Sequence, residues 1–144
     1  MGQDRWIDVR GDEAFREVYP GLSSEEAYEE AERCLQCKDP RCRSGCPAMV
    51  DVKGFIERLR SHDLEGSVKV IMRTNLLPGT TARVCQVERQ CQGSCVLSRT
   101  GRPIRIGLLQ RYVADNTVLK GRVKLEAKPS NGYKIAVIGV ILLK

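Results

Sequence analysis

Apolar positions return at helical spacing in four stretches of the chain. Ala27, Ala31 and Cys34 recur three and four residues apart behind Ser23-Ser24-Glu25-Glu26. That tetrapeptide is a capping box, with Ser23 at the cap and Glu26 reaching back. It predicts a helix from about Ser24 that ends near Cys34 and Cys37. Asp51 is placed to cap a second helix through about Ser61, with Val52, Phe55, Ile56 and Leu59 on one face. Asp63 is placed to cap a third, with Leu64, Val68, Ile71 and Met72 inward, and Asn75–Gly79 ends it. The fourth spans about Ile104 to Asn116, with Leu108, Leu109, Tyr112 and Val113 on its apolar side. A shorter helix over Asp12–Val18 stops at Pro20-Gly21.

Between these, the pattern fades. Pro40, Gly45 and Pro47 break one stretch into a loop, and Thr80–Cys95 shows little period. Gly121–Gly132 reads as a linker rich in Lys, Gly and Pro. Lys134–Gly139 is continuous, apolar and β-branched, as a buried parallel strand would be. The expected fold class is all-α with one stray C-terminal β-strand. Its expected parts are a helical domain over 1–120, a linker over 121–133 and a strand segment over 134–144.

Composition adds a constraint. Of 144 residues, 42% are hydrophobic but only 5% aromatic, so large core side chains are few. A metal staple would help such a domain, and folding would then be coupled to metal binding. Seven cysteines are the candidates. They do not form a secreted disulfide framework. The N-terminus is charged with no apolar h-region, and an odd count leaves one thiol over. A reducing, cytoplasmic setting is expected, where such groups bind metal. No run approaches the ~18 apolar residues of a membrane span. The formal charge of +6 alone would suit a nucleic-acid partner. Metal-bound cysteines are thiolates, however, and would offset much of that excess. Arg33, Lys38, Arg41 and Arg43 then read as compensation for an anionic centre, and no nucleic-acid partner is expected.

The first cysteine group is Cys34-x2-Cys37-x4-Cys42-x3-Cys46-Pro47, and the second is Cys85-x5-Cys91-x3-Cys95. A helix end followed by a turn-rich loop can bring three sulfurs to one cubane cluster. In two-cluster ferredoxins a fourth cysteine, followed by proline, ligates the other cluster. That logic assigns Cys46 to a second site and asks the distal group to complete the first. Two 4Fe–4S clusters need eight ligands, so one corner needs a donor other than cysteine. His62 is the only histidine, and at a charged helix end it reads as a surface residue. A zinc site on Cys34, Cys37, Cys42 and Cys46 remains open from spacing alone, because C-x2-C serves both metals.

The run from Glu25 to Asn116 resembles the N-terminal iron–sulfur domain of the glutamate synthase small chain and dihydropyrimidine dehydrogenase family. The residues that carry the resemblance are Glu30-Ala31-Glu32-Arg33-Cys34-Leu35-Gln36-Cys37, Cys42 with Cys46-Pro47, and Arg83-Val84-Cys85. Cys91-Gln92-Gly93-Ser94-Cys95 and Pro103-Ile104-Arg105-Ile106-Gly107 complete it. The resemblance implies an α-helical ferredoxin fold wrapping two 4Fe–4S clusters. It implies Cys34, Cys37, Cys42 and Cys95 on one cluster, and Cys46, Cys85, Cys91 and Gln110 on the other. Otherwise Gln110 would read as a solvent-facing helical glutamine. No catalytic residue is implied.

In that family a flavin domain follows, opening on a strand and a G-x-G-x-x-G turn. Lys134–Gly139 is similar to that strand and its first glycine, but Val140-Ile141-Leu142-Leu143-Lys144 departs from the motif. FAD and NAD(P)H are therefore expected only in a parent enzyme. The implied role is relay of electrons between a flavin-containing domain or subunit and a second redox centre, with a glutamate synthase large subunit as one partner. Two alternatives stand beside it: a zinc-stabilised structural or nucleic-acid-binding module, and an inert fragment of a longer oxidoreductase. The apolar tail is an expected self-association hazard.

Overall fold

The computed structural model describes residues 17, 19–123 and 129–136. Among the described residues six α-helices follow in order: α1 (Ser24–Glu32), α2 (Arg41–Ser44), α3 (Val52–Arg60), α4 (Leu64–Met72), α5 (Pro78–Val84) and α6 (Ile106–Thr117). Two 3-10 turns, Val87–Arg89 and Val96–Thr100, lie between α5 and α6. Among the described residues there is no strand.

The caps set the helix starts. Ser23 Oγ accepts from the Glu26 N–H at 3.2 Å, and the Glu26 carboxylate accepts from the Ser23 N–H at 2.8 Å. Asp51 accepts from the Gly54 N–H at 3.1 Å, and Asp63 from the Gly66 N–H at 2.7 Å. Both caps are Asp-x-x-Gly, and the glycine has a reason. A Cβ at Gly54 would sit 2.9 Å from Asp51 Cγ, and one at Gly66 would sit 2.9 Å from Asp63 Oδ1.

α3 packs on α4 across a short turn, α4 packs on α6, α5 lies along α6, and α1 crosses α3 and α6. Phe55, Ile56, Leu59, Val68, Ile71, Leu109 and Val113 are fully enclosed. This core is poor in aromatics, as composition suggests, but closely aliphatic. Cys91 is buried in it, and Cys34, Cys42, Cys46 and Cys95 pack against its edge. The cysteines thus border the hydrocarbon rather than replace it.

Several expectations need correction. α1 ends at Glu32 with Arg33 as C-cap, so Cys34 and Cys37 lie in the turn beyond it. The loop around Pro40 contains the short helix α2. Asn75–Gly79 does not simply end a helix, because Pro78 starts α5, and proline at a first helical position gives up a donor that has no partner there. Leu108 is only half-buried, while Leu109, Tyr112 and Val113 are buried. Lys134–Ala136 have no strand partner, and Ile135 is exposed. The rest of the expected strand and the apolar tail lie outside the described residues. The expected Asp12–Val18 helix falls almost wholly outside them too, and Glu17 is not helical. No helix among the described residues is long and apolar enough to cross a membrane.

Candidate metal centre

The turn after α1, α2 and the second 3-10 turn enclose one cavity. Cys34, Cys37, Cys42 and Cys95 line it, with Val52, Ile56, Ile104 and Ile106 forming its apolar wall. A second cavity lies between α5, the loop after α2 and α6. Cys46, Cys85, Cys91 and Gln110 line it, with Asn75 and Thr81 beside them. All eight residues singled out in the sequence therefore stand around two cavities, four at each. Among the described residues no three His, Cys, Asp or Glu side chains draw together as tightly as a single ion requires.

The two segments meet at Gly45, between Cys42 of one cavity and Cys46 of the other. A Cβ there would come 2.9 Å from the Gln90 carbonyl and still closer to Ser94 Oγ, so only glycine lets the loops approach this far. Gln92 ties the same loop to α6, its Oε1 accepting from the Gly107 N–H at 3.3 Å.

Thiol energetics follow the same partition. Burial first, then the neighbouring Cys34 and Cys95, pushes the Cys42 thiol up to about 11. Burial and then Cys46 do the same at Cys91, also to about 11, with Cys85 adding to it. Cys34 is raised by burial, and by Cys37 and Cys95, against the pull of Arg60. Backbone N–H groups are aimed at the sulfurs: Gln36 at Cys34, Arg43 at Cys42 and Gln92 at Cys91. Gln36 has a left-handed φ of 51°, and its amide is buried without a partner among the described residues. Buried thiols crowded together with donors facing them are poised to lose protons to a cationic metal core, which removes the crowding penalty. The donor set thus fits iron–sulfur cores.

One residue of the resemblance carries a structural role that the sequence reading did not assign. Glu30 is buried at 3% exposure. It accepts from Arg33 Nη1 at 2.7 Å, from the Arg105 backbone N–H at 2.9 Å and from Arg105 Nε at 3.2 Å. Burial acts to raise its pKa, but the Arg105 N–H and Arg33 outweigh it and hold the carboxyl below the usual range. Arg33 also donates to the Arg102 carbonyl at 2.8 Å. Arg33 is therefore committed to this tie rather than to compensating the cysteines. The tie holds the segment that places Ile104 against the first cavity and Ile106 between the two. Its signal was a charged residue on the buried face of α1, beside Ala27 and Ala31. Lys53 and Arg41 line the first cavity instead. His62 is exposed, its ring 4.1 Å from that of Tyr28, and it faces neither cavity.

A helical domain with cysteines gathered at two core-edge cavities defines a class of cluster-binding electron carriers. The family described as dihydropyrimidine dehydrogenase domain II, 4Fe-4S cluster, matches residues 11–122, and the chain belongs to it. Among its relatives, the NAD-dependent dihydropyrimidine dehydrogenase subunit PreT of Escherichia coli K12 is 36% identical over 96% of this chain and 32% of its own length. The glutamate synthase (NADPH) small chain is 31% identical in Escherichia coli K12, over 87% of this chain and 27% of its own. In Azospirillum brasilense it is 34% identical, over 87% and 26%. The chain thus spans about a third or less of the length of these relatives. It is an iron–sulfur domain of oxidoreductases of this kind.

Proposed function

We propose that the chain holds two 4Fe–4S clusters and passes single electrons between a flavin in a partner domain or subunit and a second redox centre. Cys34, Cys37, Cys42 and Cys95 would hold one cluster, and Cys46, Cys85, Cys91 and Gln110 the other. The observation that carries this reading is the division of eight donors, four and four, around separate cavities. Bound clusters supply one-electron chemistry, while the protein sets ligation, burial and hydrogen bonding to sulfur. The neutral oxygen of Gln110 in place of a thiolate makes the second cluster one charge more positive, so the two should differ in potential.

A four-thiolate zinc site is less well supported. It would need Cys34, Cys37, Cys42 and Cys46 within about 3.8 Å of one another, given a Zn–S bond of about 2.3 Å. Cys46 lines the other cavity. The partner would be a flavin-containing oxidoreductase, with a glutamate synthase large subunit among the candidates. Residues 1–120 would form the cluster domain, 121–133 a linker, and 134–144 the opening strand of a flavin domain. Anaerobic protein should contain about eight irons and eight sulfides per chain. A colourless protein carrying stoichiometric zinc overturns the proposal.

A further inference from the structure

The side-chain amide of Gln110 is held by its nitrogen alone. Nε2 donates to the Pro78 carbonyl at 3.0 Å and to Thr81 Oγ1 at 2.9 Å. A main-chain carbonyl can only accept, so the nitrogen must face Pro78. Amide orientation is set by such partners.

Thr81 is itself fixed from two sides. Asn75 Nδ2 donates to the same hydroxyl oxygen at 2.8 Å. Asn75 cannot turn over, because its Oδ1 accepts from the Leu77 N–H at 3.2 Å. The two amide donors fill both lone pairs of the threonine oxygen. Its proton then goes to the Leu77 carbonyl at 3.0 Å, and it has none left to offer Gln110 Oε1. Among the described residues no group donates to that Oε1. Asn75, Thr81 and Gln110 all line the cavity that Cys46, Cys85 and Cys91 share.

We propose that Thr81 is a positioning residue for metal binding. Together with Asn75 and the Pro78 carbonyl, it holds the Gln110 nitrogen away and turns Oε1 toward the metal. The inference rests on Gln110 as the fourth donor of the second cluster. A neutral amide binds a metal through oxygen, because the lone pair on nitrogen is delocalised into the carbonyl. An amide turned over would offer the metal two N–H groups and no donor pair. The network also accounts for α5, a helix with Pro78 as its one buried residue. Its first turn delivers both acceptors that restrain Gln110.

The test uses the chain loaded anaerobically with iron and sulfide, in parallel with Thr81→Val, Thr81→Ser and Gln110→Ala. Iron release to a chelator is followed with time, and paramagnetic resonance of the oxidised samples reports any three-iron core. Thr81→Val keeps the shape and loses the hydroxyl. It should release one corner iron about ten- to hundredfold more readily, the usual cost of losing an outer partner. A three-iron signal should appear from one cluster while the other is unchanged. Thr81→Ser keeps the hydroxyl and should behave as the parent, and Gln110→Ala should be at least as labile as Thr81→Val. A stable Thr81→Val beside a labile Gln110→Ala overturns the positioning role and leaves the ligand intact. A Gln110→Ala that matches the parent overturns both. Equal loss of both clusters in Thr81→Val marks a folding role only, and also overturns the proposal.

Discussion

On the proposed ligation, the two cavities would answer one problem with different surroundings. The first draws three cysteines from one short segment and closes with Cys95, against a wall of Val52, Ile56, Ile104 and Ile106. The second gathers Cys46, Cys85 with Cys91, and Gln110 from three separated segments and has a polar flank of Asn75, Thr81 and Gln90. All four thiols of the first are half-buried, whereas the second pairs a buried Cys91 with an exposed Cys85. An apolar wall lowers the local dielectric and excludes water; one interrupted by polar side chains and an exposed thiol does so less. The first site therefore favours retention of its metal, and the second favours contact with whatever lies outside. On the proposed ligation, Cys85 would mark the side where the second cluster comes nearest to solvent.

The comparison breaks most sharply if the sites are not independent. Cys42→Ala should remove the first cluster and leave the second, and Cys91→Ala should do the opposite. Each should lower iron from about eight to about four per chain. Loss of all iron in either variant would show a single cooperative unit. Next in size is the unequal hold on metal. Under a chelator or air, iron should leave the second site several-fold faster than the first, followed by the separate resonance signals of the reduced clusters. A faster loss from the first site would reverse the assignment of shelter to its apolar wall.

The Glu30 tie gives a smaller effect with a pH signature. Glu30→Gln removes charged hydrogen bonds to Arg33 and Arg105. Both arginines are partly exposed, so the cost is put at about 1–3 kcal/mol. Because the folded pKa lies below the usual 4.5, the carboxylate's contribution is full above that value. It is lost as pH falls through the lower, folded value. Unfolding of metal-free chain in reductant should therefore separate parent from variant near neutrality, and the two should converge at acid pH. In loaded chain the same variant should loosen the first cluster more than the second, since Arg105 adjoins Ile104, which lines the first cavity alone, whereas Ile106 lines both.

Much of this architecture is legible in the chain because its signals are local. Ser23 with Glu26, Asp51 and Asp63 mark helix starts whose side chains bond the backbone three residues on. The apolar faces of α3, α4 and α6 follow the helical period because hydrocarbon buries them. α5 was not legible for the opposite reason. Its PGTTARV sequence includes two β-branched threonines and a glycine, and the side it turns inward meets the second cavity rather than an apolar face. α2 was hidden because four residues between a proline and a glycine hold no full period. At the site, spacing named the cysteines, but their grouping, and the amide network behind Gln110, depend on contacts between distant segments. The role of Glu30 was hidden for the same reason, since its partner Arg105 is 75 residues away.

The smallest predicted effect calibrates the others. Ser23→Ala removes one half of the α1 capping box and should cost about 1 kcal/mol. The damage is confined to the first turn, where Tyr112 still donates to Ser24 Oγ at 3.0 Å. Glu30, Arg33 and the turn that carries Cys34 lie at the far end of the nine-residue helix. Thermal unfolding should therefore shift modestly while the ratio of iron release from the two sites stays at the parent value. Glu30→Gln, acting at the cavity wall, should change that ratio. If Ser23→Ala biases release toward the first cluster as strongly as Glu30→Gln does, the first site reports overall stability. The contrast between a sheltered and an open cavity would then lose its local cause.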